Sequence, residues 1–223
     1  MRYGIFDTET TSLPPDYKAI EIALIEIDLD FNVLGEVESL LNPEAPIHPS
    51  ATAVHGFTND MLLNQPTMEM FVRSVLNGRL DGEWMLIGHR ISFDRPLFAP
   101  IGNCVDEYDT VPLAQELLPD LENHKLETLK DYFGISHGTP HRAMSDVRYV
   151  LEILPKMLEM TGRTLAQHLA TPRRVIHKMP FGKHAGKPLH EVPKSYRQWM
   201  LKNSNNMDAN LKYSLEQVAL TEY

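Results

Sequence analysis

The segment IFDTET constrains this chain more than any other, because it sets two carboxylates, Asp7 and Glu9, at the end of an apolar strand. A strand alternates its side chains between two faces, so residues two apart share one face. Like charges placed that way repel, and they persist where a cation or a proton is shared or where the strand end is solvated. For the pair alone, a hydrated strand end and a metal site are both open readings.

The neighbouring sequence supplies a sheet. RYGIFDTE, AIEIALIEIDLD and NVLGEVESLLN read as strands, and SLPPD and DFN separate them as turns. An antiparallel meander is therefore expected at the front of the fold. A Pro-punctuated loop, NPEAPIHPS, leads into ATAVHGFT, and from Thr67 to Leu80 apolar residues recur at helical spacing. EWMLIGH and CVDEYDT read as short strands, each followed by a helical segment, which is the alternation of an α/β sheet. HKLETLKDYFGI predicts a helix ended by Gly134, and HRAMSDVRYVLEILPKMLEMTG a longer one that Pro155 should kink or interrupt. TLAQHLATPRRVIHK predicts a short helix and a basic linker. The last piece opens on Gly and Pro turns and closes on two helical patterns. The expected organisation is a domain over residues 1–162, a linker over 163–178 and a small, mainly helical module over 179–223, with the boundary near residue 172.

The other chemistry-bearing residues follow at long intervals. Asp94 closes GHRISFD, and His141 and Asp146 lie five apart in HRAMSD near the start of a helix, where imidazole and carboxylate can face one cleft. Singly, Asp94 reads as a helix cap and His141 as a first-turn polar residue. Together with Asp7 and Glu9 they make four oxygen donors and one proton acceptor.

FDTETT, GHRISFD and HRAMSD resemble, in that order, the three motifs of the DEDDh class of 3′-to-5′ exonucleases, which have a ribonuclease H-like fold with a mixed central sheet and flanking helices. VHGFTNDML and YDTVPLAQELLPDLENHKLETL resemble supporting segments of the same class, so the likeness covers about residues 1–160. Within the class, the chain resembles bacterial exodeoxyribonuclease X-like proteins and the proofreading subunit of replicative polymerase, and the tail favours the former.

The resemblance implies hydrolysis of DNA from its 3′ end, with release of 5′-nucleoside monophosphates. It implies two Mg²⁺ or Mn²⁺ ions held by Asp7, Glu9, Asp94 and Asp146, and carboxylates without a cysteine partner suit such hard cations. Asp7 would bridge both ions, Glu9 and Asp146 would serve the ion that activates water, and Asp94 the other. His141 would be the general base, since neutral imidazole accepts a proton near pH 7. Leu13 resembles the wedge that the class places between terminal bases. Thr8, Thr10, His55, Phe57, His89 and Phe93 are further candidate substrate contacts, and for Phe93 a place in the core is the competing reading. The class has Gly where this chain has Ser12, and Asn where it has Arg90. Ser12 requires a backbone that Ser can adopt. Arg90 would contact phosphate or, alternatively, pair with a carboxylate and weaken metal binding.

Charge is unevenly spread. The net charge is −9, yet residues 173–202 hold eight Lys or Arg, Arg173 and Arg174 among them, against one acid. That segment carries +7 and the remaining 193 residues −16. An acidic body does not exclude a phosphate substrate, because bound cations reverse the local sign. In FGKHAGKPLHEVPKSYRQWM, Lys183 and Lys187 are candidate phosphate contacts beside Phe181, Tyr196 and Trp199. The competing reading is a mini-domain with Tyr196 and Trp199 as its own core.

With 43% hydrophobic residues the chain can bury a core, and its lone cysteine, Cys104, excludes an internal disulfide framework. The sequence lacks a signal-like apolar run at its start and any stretch of 18 uncharged apolar residues, so a soluble, cytoplasmic chain without a membrane partner is expected. DNA, single-stranded or as duplex 3′ ends, is the expected partner, with a polymerase or repair protein as a second. Two alternatives stay open: an RNA-directed 3′-to-5′ exonuclease, and a catalytically silent nucleic-acid-binding or polymerase-associated module on the same fold.

Overall fold

The computed structural model describes residues 1–170, 176, 178–204 and 207–220. They form two compact units, residues 1–166 and 167–223, each with its own core. Among the described residues no helix is long and apolar enough to cross a membrane.

The first unit is built on a five-stranded mixed sheet in the order β3-β2-β1-β4-β5. Strands β1 (Arg2–Thr10), β2 (Ala19–Ile27) and β3 (Val33–Leu40) form the antiparallel meander, and β4 (Glu83–Gly88) and β5 (Asn103–Asp109) run parallel to β1. Strand β2 is apolar along nearly its whole length because both its faces are covered, whereas the edge strand β3 alternates towards solvent.

Helices α1 (Pro49–His55), α2 (Asn59–Leu62) and α3 (Met68–Met70) connect β3 to β4. The sequence pattern leaves α1 as loop, but Pro49 opens it, the His48 ring accepts the Ser50 N–H, and Gly56 ends it in a left-handed conformation. The helix expected over Thr67–Leu80 is shorter: α3 passes into a π-helical stretch, Phe71–Leu76, stopped by Asn77 at φ 42°. The wider turn buries Phe71 and Leu76 together with Trp84 and Phe98.

Then come α4 (Arg95–Phe98), α5 (Val111–Leu117), α6 (Leu126–Tyr132) and α7 (Ala143–Thr161). Helix α7 lays Ala143, Val147, Val150, Leu154 and Leu158 across β1 and β2. It runs unbroken for 19 residues with Pro155 inside it, so the expected interruption does not occur. Its buried stripe continues on both sides of the proline, and packing outweighs the one hydrogen bond a proline forfeits. Helix α8 (Leu165–Leu169) crosses the division between the units.

In the second unit, α9 (Lys194–Asn203) and α10 (Ala209–Leu220) follow two short 3₁₀ turns, in keeping with the two helical patterns. Met179, Leu189, Val192, Met200, Leu211 and Leu215 form its core. Ile176, within the expected linker, packs against that core and donates its N–H to Ser214 Oγ at 2.6 Å. Arg173 and Arg174 lie outside the described residues.

Candidate active site

Strand β1 pairs with β4 only as far as Ile5 and Ile87, then runs on past the end of the parallel strands. Asp7 and Glu9 thus sit at the carboxyl edge of the sheet, where open α/β sheets characteristically hold their ligands. Burial alternates there: Asp7 and Glu9 are partly exposed, while Thr8 and Thr10 are buried. Asp94 arrives from the turn after β4. A Cβ on Gly88 would come within 3.0 Å of the Phe6 carbonyl, so only glycine lets this turn lie against β1. Asp94 stands at the N-cap position of α4 without capping it. Its buried carboxylate instead accepts Thr8 Oγ1–H at 2.6 Å and Thr8 N–H at 3.1 Å.

Asp146, in the first turn of α7, completes the acidic set. Oxygen or nitrogen atoms of Glu9, His141 and Asp146 lie within 4.8 Å of one another. Asp7 and Asp94 join this group electrostatically. Burial, then the charges of Asp94, Asp146 and Glu9, hold the Asp7 carboxyl well above the usual carboxylate range. Burial, then Asp146, Glu21 and Asp94, push Glu9 up to about 8. Burial raises Asp94 to about 7 against the opposing Thr8 bonds, and raises Asp146 to about 7 against a bond from the His141 backbone N–H. Four carboxyls that resist ionising beside one another are what a pair of divalent cations would neutralise, and oxygen donors with one imidazole suit Mg²⁺ or Mn²⁺.

His141 does not lie on α7. It precedes the helix in a left-handed conformation, φ 58°, which a non-glycine residue adopts only when its surroundings impose it. Two anchors impose it. Arg142 grips Glu21 on β2 through Nε and Nη2 at 2.8–3.2 Å, and the same Glu21 accepts the Ala143 N–H at 2.9 Å. Glu21 is wholly buried, lies directly opposite Glu9 in the sheet, and Arg142 stacks on Phe57 at 4.9 Å. The second anchor is Glu127 on α6, whose Oε1 meets His141 Nε2 at 2.8 Å. A carboxylate on Nε2 favours the Nε2–H tautomer and leaves Nδ1 as the basic nitrogen. None of these supports was read from the sequence, although an acid inside the apolar run AIEIALIEI was the one available signal for Glu21.

The candidate substrate residues divide. Leu13 is 78% exposed, three residues beyond the end of β1. Phe93 is partly exposed rather than core, its ring tilted at 36° against that of Tyr17 at 5.0 Å, and Tyr17 Oη–H donates to the Phe93 carbonyl at 2.8 Å. Tyr17 is a neighbour the sequence did not indicate. Phe57 is 3% exposed, packed with Ile20, Ile47 and Leu62 under Arg142, and so supports the His141 turn instead of meeting a base. His55 accepts the Phe57 N–H at Nδ1 and faces the Thr10 carbonyl from Nε2 at 3.2 Å, while Thr10 Oγ1–H donates to the Ser12 carbonyl.

His89 is likewise a brace. Its Nε2 donates to the His124 carbonyl at 2.7 Å, its Nδ1 meets Thr110 Oγ1 at 2.9 Å, and burial lowers its pKa to about 4, so the ring stays neutral. Arg90 sits at φ 67°, where Asn is tolerated better than Arg, which accounts for the class preference at this position. Its N–H is held by Asp109 at 3.0 Å, and among the described residues no carboxylate pairs with its exposed guanidinium. Ser12 is not at positive φ, so glycine is not required there, and its hydroxyl donates to the Asp16 carbonyl at 2.9 Å.

A mixed sheet with clustered carboxylates at its edge and a histidine held beside them defines a nuclease of the ribonuclease H-like fold. Residues 5–154 match the RNase T exonuclease family, and the chain belongs to that family, the DEDDh class of 3′-to-5′ exonucleases. It is similar to exodeoxyribonuclease 10 of Escherichia coli K12, 27% identical over 95% of this chain and 96% of that one. It is also similar to the solved structure of exonuclease X in complex with 5′ overhanging duplex DNA, with TM-score 0.58 and 26% identity over 74% of this chain and 96% of that one. A DNA polymerase III PolC-type chain of Lacticaseibacillus paracasei is 32% identical over 75% of this chain but only 12% of its own length. Residues 168–216 match a second family, described as a quorum-sensing-regulated virulence factor.

Proposed function

We propose that this exonuclease acts on DNA, removing 5′-mononucleotides one at a time from the 3′ end with two divalent cations. The observation that carries the reading is the convergence of Asp7, Glu9, Asp94, Asp146 and His141 from three distant segments, in surroundings where the acids resist ionisation. Similarity to exodeoxyribonuclease 10 along almost the whole of both chains favours DNA over RNA.

Asp7, Glu9, Asp94 and Asp146 would hold the cations. When bound, two such ions neutralise the cluster, polarise the scissile phosphate and make a water acidic enough to attack near neutral pH. The protein's own groups do the rest. His141, set by Glu127 and the Arg142–Glu21 clamp, accepts the proton of the attacking water. Thr8 fixes the Asp94 oxygens so that they need not reorganise during reaction. Leu13 separates the terminal base from its neighbour, and Arg90 supplies a donor to a backbone phosphate. The likeness of this segment to polymerase chains makes a replication or repair protein the partner to seek by co-purification.

The test uses single-stranded DNA, duplex DNA and RNA of one sequence, with 3′ or 5′ ends blocked in turn, in Mg²⁺ or Mn²⁺. The expected result is release of 5′-deoxynucleoside monophosphates that only a 3′ block stops. Faster release from RNA would overturn the assignment to DNA.

A further inference from the structure

Helix α9 presents two stripes. Its inner one, Arg197 and Met200, is buried, and the core of Met179, Leu189, Val192, Met200, Leu211 and Leu215 carries one ring at its edge, the partly buried Tyr196. Tyr196 and Trp199, three apart on the neighbouring stripe, stack on each other at 5.9 Å and 26°, and Trp199 is 56% exposed. Trp199 is a large aromatic left on the surface, as is Phe181 at 52% exposed, and such exposure carries a hydrophobic penalty that packing does not relieve.

The loop before α9 brings charge to the same rings. Gly182 and Gly186, at φ 74° and 78°, turn the chain so that Lys183 Nζ lies 4.9 Å over the Tyr196 ring and His184 meets that ring edge-on at 4.7 Å. A Cβ on Gly182 would stand 3.3 Å from Tyr196 Oη, in a backbone conformation that side chains rarely adopt. Burial, then Lys183 and Lys187, lower the His184 pKa, so the ring is neutral near pH 7. Lys183, His184, Pro193, Ser195, Tyr196 and Trp199 line one open cavity of about 560 Å³. In the same unit Lys178, Lys183, Lys187, Lys194 and Lys202 are all exposed, with Glu191 the one acid between residues 178 and 204.

We infer that this surface binds single-stranded DNA: a base stacks against Trp199 and Tyr196 while Lys183 and Lys187 hold the flanking phosphates. A flat apolar face bordered by lysines matches the two chemical parts of an unpaired nucleotide, whereas a duplex hides its base faces. An acidic peptide would need the lysines but not the stacked rings. The choice of DNA rests on the proposed substrate of the nuclease unit. The site belongs to the second unit and the acidic cluster to the first, so the two can be perturbed separately.

The chain has two tryptophans, and Trp84 is buried, so quenching of the exposed Trp199 reports stacking directly. The full-length protein is titrated with a labelled oligothymidylate in EDTA at several salt concentrations, with the matching oligouridylate in parallel. Fluorescence quenching is expected. Lys183→Ala with Lys187→Ala should weaken binding about tenfold and flatten the salt slope by about 1.4, at ~0.7 per phosphate contact on a single strand. Trp199→Phe should remove the quenching but keep most of the affinity, and Trp199→Ala should weaken binding about tenfold.

Turnover of the mononucleotide ester thymidine 5′-p-nitrophenyl phosphate in Mg²⁺ should be unchanged in all of these variants, which shows that the nuclease unit is intact, and an unchanged circular dichroism spectrum shows that the second unit folds. Affinity and salt slope unchanged in the lysine variant, or no quenching in the parent, would overturn the inference while leaving the nuclease reading intact. Tighter, lysine-dependent binding of oligouridylate would overturn the assignment to DNA. Failure of the parent to turn over the ester would count against the nuclease reading alone.

Discussion

Arg142→Ala tests the idea that the His141 turn is held from beneath. The substitution deletes every guanidinium contact to Glu21 and the stacking on Phe57, and leaves Glu21 with the Ala143 N–H. The Glu21 side chain is 0% exposed and that of Arg142 41% exposed, so a carboxylate remains buried with little compensation. Removing one partner of a buried pair costs about 3–5 kcal/mol. The half-open guanidinium, whose place water can take, puts this case near the lower end, at about 3 kcal/mol. At about 2–4 °C per kcal/mol for a domain of this size, Tm should fall by about 6–12 °C, measured by circular dichroism. Glu21 also faces Glu9 across the sheet, so its uncompensated charge should weaken the site as well, lowering kcat more than it raises KM. Adding Glu21→Gln replaces the stranded charge with an amide and should restore part of the lost Tm. A Tm for Arg142→Ala within about 2 °C of the parent would refute the reasoning, because the pair would then be no more than a surface ion pair.

Three further outcomes follow from the site. Glu127→Ala should lower kcat by about 10–100-fold, the usual loss when the outer support of a metal-site histidine is removed, with KM for DNA unchanged; equal kcat would mean that Glu127 plays no part in setting the ring. His141→Ala should lose about 10²–10⁴-fold in kcat, the contribution of a general base, and a smaller loss would move that role elsewhere. Glu9, Asp94 and Asp146 have pKa values raised in the folded state, to about 8 for the first and about 7 for the others, so the native protein binds protons more tightly than the unfolded chain. The stability this gives is complete below about pH 4 and is lost as pH rises through 7 to 8. In EDTA, Tm should therefore fall from pH 5 to pH 8, by at least about 3 °C, and Mg²⁺ or Mn²⁺ should restore it most at pH 8; a Tm that rises over that interval in EDTA would contradict this.

The strand meander, the parallel β4 and β5 and the long α7 were legible because each rests on local periodicity and turn residues. What escaped depended on distant partners. The π-helical turn at Phe71–Leu76 and the unbroken helix through Pro155 are set by packing against Trp84 and the sheet, which outweighs local propensity. At the site, the five residues proposed to act could be listed from their motifs, since chemistry marks them wherever they fall. Their supports could not, because Glu21 and Arg142 are 121 positions apart and nothing near either one names the other. The same limit explains Phe57 and His89. Each looks like a substrate contact in sequence, but one is covered by Arg142 and the other is bonded on both ring nitrogens.

The most direct test of the central claim is mononucleotide release from a 3′-labelled single-stranded DNA in Mg²⁺ or Mn²⁺, with the parent set beside Asp7→Ala. Asp7 feels the charges of all the other acids, so losing it should reduce release by about 10³-fold or more while the protein stays folded in EDTA. Release by Asp7→Ala at the parental rate would contradict the claim that these carboxylates form the catalytic centre.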